Sequence, residues 1–249
     1  MTLGTLILIS LLIFVVASLY SSVGHGGASG YLAVLSFFAF SPATMSSTAL
    51  LLNILVSGVA VYSFHRGGHL LLRLTWPFIL LSVPAAFLGG LLHIADRTYF
   101  FVLAAVLVLA AVRLAMAPSQ RAMPSERKRV NPLVSLPVGG GIGLVSGVVG
   151  IGGGIFLSPL MILMNWADPK KTAATSALFI LVNSLAGLAA RFARDSVQAE
   201  DVLPLIVAAF LGGWVGSHYG ANRFSGLLLR RVLAAVLIVA AAKMVLASS

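Results

Sequence analysis

Long apolar runs bound what this chain can fold into more tightly than any other feature. Thr2 to Tyr20, Leu32 to Phe40, Ala43 to Phe64, Leu74 to Leu92 and Tyr99 to Ala117 carry almost no charge, and comparable runs follow in the second half. Several reach the roughly 20 residues that a helix needs to cross the hydrocarbon core of a bilayer. Of the 249 residues, 59% are apolar and only 9% charged, with a mean hydropathy of +1.06. That is too little charge to cover a water-facing surface. The strict alternation of polar and apolar residues that marks a membrane barrel is absent. The chain is expected to be an all-α integral membrane protein.

The net charge of +10 does not imply a nucleic-acid partner. Basic residues of membrane proteins gather in cytoplasmic loops, and the expected partners are the lipid bilayer and a small solute. There is no cysteine, which excludes disulfides, thiolate metal sites and thiol catalysis. No Lys or Arg precedes the first apolar run. The run leads straight into a motif that returns later, so it is expected to belong to the fold and not to a cleaved signal.

The chain repeats itself. Gly24-His-Gly-Gly-Ala is answered by Gly150-Ile-Gly-Gly-Gly. Pro42, Thr48, Ser57, Pro77 and Gly89 recur 127 positions on as Pro169, Thr175, Ser184, Pro204 and Gly216. The run Val102-Leu-Ala-Ala-Val-Leu recurs at Val232, 130 positions on. Constant order and spacing mark an internal duplication. Its expected parts are a first membrane repeat (1–117), a basic cytoplasmic linker (118–132) and a second membrane repeat (133–249).

Each half opens with an apolar arm, a Gly-rich break and a shorter arm. The first short arm, Ala28 to about Phe40, has 13 residues. At 1.5 Å each they make roughly 20 Å of helix, short of the roughly 30 Å core. Each opening unit is therefore expected to be a broken or re-entrant hairpin, followed by three transmembrane helices. An odd number of crossings inverts the second half relative to the first.

Charge supports that parity. With both termini outside, the cytoplasmic side receives Arg66, Arg73, Arg113, Arg121, Arg127, Lys128, Arg129, Lys170, Lys171, Arg223, Arg230 and Arg231. The outside receives Arg97, Arg191, Arg194 and Lys243, a division of 12 against 4. Parallel halves would give 10 against 6. The positive-inside rule favours inverted-topology repeats. Parity does not separate a re-entrant hairpin from one that spans fully.

A break inside a membrane helix frees backbone groups that lipid cannot satisfy, so it must line a polar cavity or be buried in protein. New helices are expected to start near Ala28 and Ile155, placing two positive dipole ends near the midplane. That geometry suits an anion. The alternative is that the glycines only permit close helix packing. All six carboxylates (Asp96, Glu126, Asp168, Asp195, Glu200 and Asp201) fall in loops or at helix ends. None is placed to hold a cation within a span.

The expected substrate-binding set is Gly24, His25, Gly26, Gly27, Ala28 and Ser29 at the first break, with Thr48, Asn53 and Ser57 on the crossing after it. In the second half it is Gly150, Gly152, Gly153 and Gly154, with Thr175, Ser176 and Asn183. Ser46, Asn53 and Ser57 form one polar stripe at helical spacing, and Thr172, Ser176 and Asn183 another. Singly, such hydroxyls also serve as interhelical glue. His25 replaces Ile151 of the other break and is expected to be the one ionisable side chain deep in the membrane. Both a proton-coupling role and a neutral, hydrogen-bonded role are open to it. No catalytic residue, metal or cofactor is expected, and the oligomeric state is not readable.

The paired breaks, above all Gly150-Ile-Gly-Gly-Gly-Ile-Phe-Leu-Ser-Pro, together with Thr175-Ser176 and their first-half counterparts, resemble the sulfite exporter TauE/SafE family of membrane transporters over essentially the whole chain. The resemblance implies a secondary transporter of the bacterial inner membrane, exporting a sulfur-containing anion such as sulfite, thiosulfate or an organosulfonate. His25 and Ala28 depart from the commoner Gly-x-Gly-Gly-Gly form of the first break. A membrane potential negative inside drives an anion outward by about 2.3 kcal/mol per charge and 100 mV. A passive anion channel is the alternative. An intramembrane serine protease reading, with Ser29 of Gly27-Ala-Ser-Gly30 and His218 as base, rests on a weak tetrapeptide whose repeat partner has Ile155 in place of Ser29.

Overall fold

The computed structural model describes residues 2–21, 25–38, 40–115, 130–194, 202–219 and 226–248. Among them the chain forms ten helices: α1 Leu3–Ser21, α2 Ala28–Ser36, α3 Pro42–Arg66, α4 Leu72–Leu91, α5 Asp96–Ala115, α6 Pro132–Val149, α7 Gly154–Leu163, α8 Pro169–Ala193, α9 Val202–Tyr219 and α10 Gly226–Ser248. A long helix, a short one and three long ones occur in that order twice. Residues 118–129 of the expected linker lie outside the described residues, and its last three lead into α6, which starts at Pro132 behind the cap of Asn131.

Local sequence explains where the helices start. α3, α6 and α8 each begin with proline at the first turn behind a polar cap. Ser41 Oγ accepts from Thr44 N at 3.2 Å, Asn131 Oδ1 from Leu133 N at 2.9 Å, and Asp168 Oδ1 from Lys171 N at 2.8 Å. Proline lacks the N–H that the first turn would leave unpaired, and the cap satisfies another.

The short arm α2 has nine residues, not the 13 expected. Phe37 and Phe38 close a tight turn on Val34 and Leu35, and Pro42 forces Ser41 into extended backbone, which ends any continuing helix. At 1.5 Å per residue α2 spans about 14 Å, less than half of a bilayer core. Lys243 of α10 donates to Ser36 O at 2.7 Å, capping the carbonyl end of α2.

Close glycine contacts set the packing. Gly139, Gly143 and Gly147 of α6 lie on Phe78, Ser82 and Ala86 of α4, so close that a Cβ on any of them would enter the facing backbone. Gly212 and Gly216 of α9 lie in the same way on Phe14 and Ser18 of α1. In each pair the residue numbers rise together, so α4 runs parallel to α6 and α1 to α9. The long central helices behave differently. Ser46 meets Arg191, Leu50 meets Gly187 and Asn53 meets Ser184, so α3 and α8 are antiparallel. α5 packs on α10. Without a hydrophobic drive between helices in lipid, such backbone approach supplies the dispersion contact that holds a bundle together.

Among the described residues five helices are long and apolar enough to cross a membrane by length and composition: α1, α3, α4, α6 and α8. Outward faces carry large apolar side chains, among them Ile7, Leu80, Leu133 and Trp214, a surface suited to hydrocarbon. The inner faces hold buried polar groups, including Ser46, Thr48, Asn53, Thr175, Ser176 and Asn183.

Candidate functional site

The two breaks are built by left-handed glycines. Gly27 caps α2 at φ 92°, and Gly153 caps α7 at φ 81°. Gly150 ends α6 at φ 86° and Gly152 follows at φ 71°. A side chain in that region clashes with its own carbonyl, so glycine is the residue that turns the chain here. α2 starts at Ala28, as the sequence implies, and α7 at Gly154, one residue before Ile155.

The breaks meet at the crossing of α3 and α8. A Cβ on Gly26 would stand 2.5 Å from Asn53 Oδ1 and 3.0 Å from Ile180. A Cβ on Gly152 would meet Ile180 at 2.8 Å, and Asn53 Nδ2 and Ser184 Oγ at 2.9 Å. The two breaks thus touch the same two residues, Asn53 of α3 and Ile180 of α8. These stand 127 positions apart, the spacing of the repeat. Asn53 therefore corresponds in space to Ile180 and not to Asn183.

The expected site residues divide by what their polar atoms touch. Ser29 Oγ pairs with Tyr20 OH at 2.9 Å, Thr175 with Thr75 at 3.1 Å and Ser176 with Ser158 at 2.7 Å. Ser57 donates back to Asn53 O at 2.5 Å. These hydroxyls stitch helices or bend them, as small polar residues do in membranes. Thr48 is buried on α3. Asn53 Nδ2 reaches Ser184 Oγ at 3.4 Å, while among the described residues its Oδ1 has no partner and neither has either side-chain polar atom of Asn183. The Tyr31 hydroxyl is likewise buried and unpartnered, and it lies against Gly27, where a Cβ would meet it at 2.7 Å. Gly24 lies outside the described residues, and His218 is a position whose side chain is not described. Among the described residues no cluster of His, Asp and Glu is placed to hold a metal ion.

The space at the breaks is small. A cavity of about 10 Å³ is lined by Tyr20, His25, Gly26, Gly27, Ala28, Ser29, Ile151, Ile155 and Ile180. That is room for about one water, so the conformation is closed to any ion of several atoms. His25 is half-buried in this wall, and its backbone N–H donates to Tyr20 O at 2.9 Å.

His25 does not stand alone as a basic group drawn into the protein. Arg191 of α8 is only 6% exposed. It donates to Ser46 Oγ at 3.1 Å, Gly147 O at 3.0 Å, Gly187 O at 3.3 Å and Val148 O at 3.2 Å. The charge count puts it with Arg97, Arg194 and Lys243 on the outer side, with no sign that it turns into the bundle. What draws it inward is the last turn of α6, whose carbonyls lack intrahelical partners. Ile180 and Tyr31, being apolar or aromatic, gave no sequence signal of a place at the site.

The sequence was compared with known proteins. A family model described as sulfite exporter TauE/SafE matches residues 9–244. The chain is 36% identical over 233 residues to the probable membrane transporter protein y4hK of Sinorhizobium fredii (strain NBRC 101917 / NGR234), covering 93% of this chain and 94% of that one. It is 26% identical over 249 residues to the probable membrane transporter protein YjnA of Bacillus subtilis (strain 168), covering 92% and 96%. It is 28% identical over 209 residues to the probable membrane transporter protein ORF9 of a Sinorhizobium species, covering 82% and 79%. No solved structure matches.

Proposed function

This chain belongs to the sulfite exporter TauE/SafE family, and from that premise we propose that it exports a small sulfur-containing anion through a site where its two glycine breaks meet. The protein is a multi-pass membrane transporter and not an enzyme. The class of anion proposed is sulfite, thiosulfate or an organosulfonate, and the membrane proposed is the bacterial inner membrane.

One observation carries the reading: Gly26 and Gly152 both lie on Asn53 and Ile180, so two helix N-termini converge at mid-length of the antiparallel α3–α8 pair. The opening N–H groups and positive dipole ends of α2 and α7 favour an anion between them. Unspent polar groups stand beside them. Among the described residues the Tyr31 hydroxyl is a donor without a partner, and turning the Asn53 carboxamide would let Ser184 donate to Oδ1 and free Nδ2. Because the present cavity holds about one water, transport requires the arms to part, and the closed form serves as the occluded state of an alternating-access cycle. The antiparallel run of α3 and α8 supports two inverted repeats, and the division of basic residues, 12 against 4, supports both termini outside and the 118–132 linker inside.

Purified protein in liposomes loaded with radiolabelled thiosulfate tests the proposal. Saturable efflux, competition by sulfite and taurine, and counterflow against external thiosulfate are expected. A linear, non-saturating flux without counterflow would make it a channel. No flux of any sulfur anion, from protein that remains monodisperse, would remove the substrate class.

A further inference from the structure

A second cavity, of about 90 Å³, opens at the end of the bundle where α3 and α5 begin and α4 and α8 end. Its walls include Arg191, Arg194, His93, Ser46 and Tyr99, and no acidic residue is among the described residues that line it. A water needs roughly 10–15 Å³ of such space, so an ion of four or five heavy atoms fits. Arg194 is held in place by Gly90 O at 3.2 Å, Leu92 O at 2.9 Å and His93 Nδ1 at 2.5 Å. Accepting at Nδ1 puts the proton of a neutral His93 on Nε2, which makes that nitrogen a donor. Ser46 joins this cavity to the second break: it takes the hydrogen bond of Arg191, and a Cβ on Gly150 would meet its Cβ at 2.9 Å.

We infer that this cavity is a second binding site for a small oxyanion, an antechamber one residue removed from the second break. Two guanidinium groups are fixed by backbone carbonyls before any ion arrives, so binding needs little rearrangement of the cationic side chains. Arg191 spends four of its five N–H groups on Ser46 and three carbonyls and so contributes chiefly its positive charge, while Arg194, with three of five engaged, keeps N–H groups for the oxygens of a sulfur oxyanion. A concave, one-signed wall also concentrates such ions from solution. The antechamber role rests on the transport reading; the binding of an oxyanion does not.

The cysteine-free chain allows a direct test. Ala43 and Leu92 line the cavity, and single cysteines there (Ala43→Cys, Leu92→Cys) are to be treated, in purified protein, with a sulfonate-bearing and a trimethylammonium-bearing methanethiosulfonate. The expected result is modification about tenfold faster by the anionic reagent, slowed by millimolar sulfate, with both effects lost on Arg194→Gln. His93→Phe removes the Nε2 donor and disturbs no backbone hydrogen bond of Arg194, so it should keep the preference for the anionic reagent and weaken the protection by about threefold or more; it serves if Arg194→Gln fails to fold. Equal rates without protection by sulfate, or no reaction at either cysteine, would overturn the inference. Protection by sulfate in a protein that moves no sulfur anion in liposomes would retain the site and remove only its place in transport.

Discussion

Asn53 of α3 donates to Ser184 of α8 at 3.4 Å, across 131 positions of sequence and between two antiparallel helices. A Cβ on Gly152 would meet both partners at 2.9 Å. This polar contact of the central crossing is thus also the place where the second break presses in. Among the described residues Asn53 Oδ1 has no partner, and a buried acceptor left unpaired is costly.

That arrangement separates two kinds of polar residue by experiment. Asn53→Leu removes an unpaired oxygen and one long hydrogen bond but is the larger side chain, packed beside Gly26 and Gly152, so it should cost about 1–3 kcal/mol. Thiosulfate efflux should fall at least about tenfold. Thr175→Val breaks the bond to Thr75 and should cost about 0.6 kcal/mol while efflux holds. Melting in detergent beside flux in liposomes checks both, and the reverse pattern would move the site to Thr175.

The glycine contacts make a sharper contrast. Gly143 lies against the Ser82 backbone, whereas a Cβ on Gly141 meets nothing within 4 Å. Gly143→Leu must push α6 off α4, and no monodisperse protein should be recovered. Gly141→Leu should purify and transport like the parent. Size-exclusion profiles decide the matter, and a well-folded Gly143→Leu would show that the α4–α6 contact does not hold the bundle.

His25 shares the wall of the small central cavity with Tyr20 and Ile151. If its protonation assists the anion, His25→Gln keeps a donor and loses the titrating charge. Efflux between about pH 5.5 and 8.5 should then become flat, with the greatest loss of affinity at the acid end, where an ordinary imidazole is charged. An unchanged profile in folded protein would make His25 a structural residue.

The antiparallel α3–α8 pair predicts a topology. Reporter fusions after Ser249 and within the 118–132 linker should report opposite sides of the membrane. The same side for both would end the inverted arrangement. Three of the four basic residues that the charge count leaves outside have structural work there: Lys243 caps Ser36, while Arg191 and Arg194 cap carbonyls of α6 and α4. This accounts for most of the exceptions to the positive-inside rule on physical grounds.

Hydropathy, proline and glycine acted locally, and so the sequence alone determined the membrane class, the helix starts behind Ser41, Asn131 and Asp168, and both breaks. It also carried the duplication that relates Asn53 to Ile180 at the same 127-residue spacing as Pro42 to Pro169. Which hydroxyls were used up could not be read this way. Thr75 meets Thr175, and Ser158 meets Ser176, only because particular helices lie side by side. Tertiary structure also drew Arg191 inward, since the carbonyls it satisfies belong to a helix some 44 residues away in sequence. Periodicity reports which face of a helix is polar, but the partner of that face is decided by how close two backbones can come. Here that distance is set by glycines of α6 and α9 lying on helices of the other half.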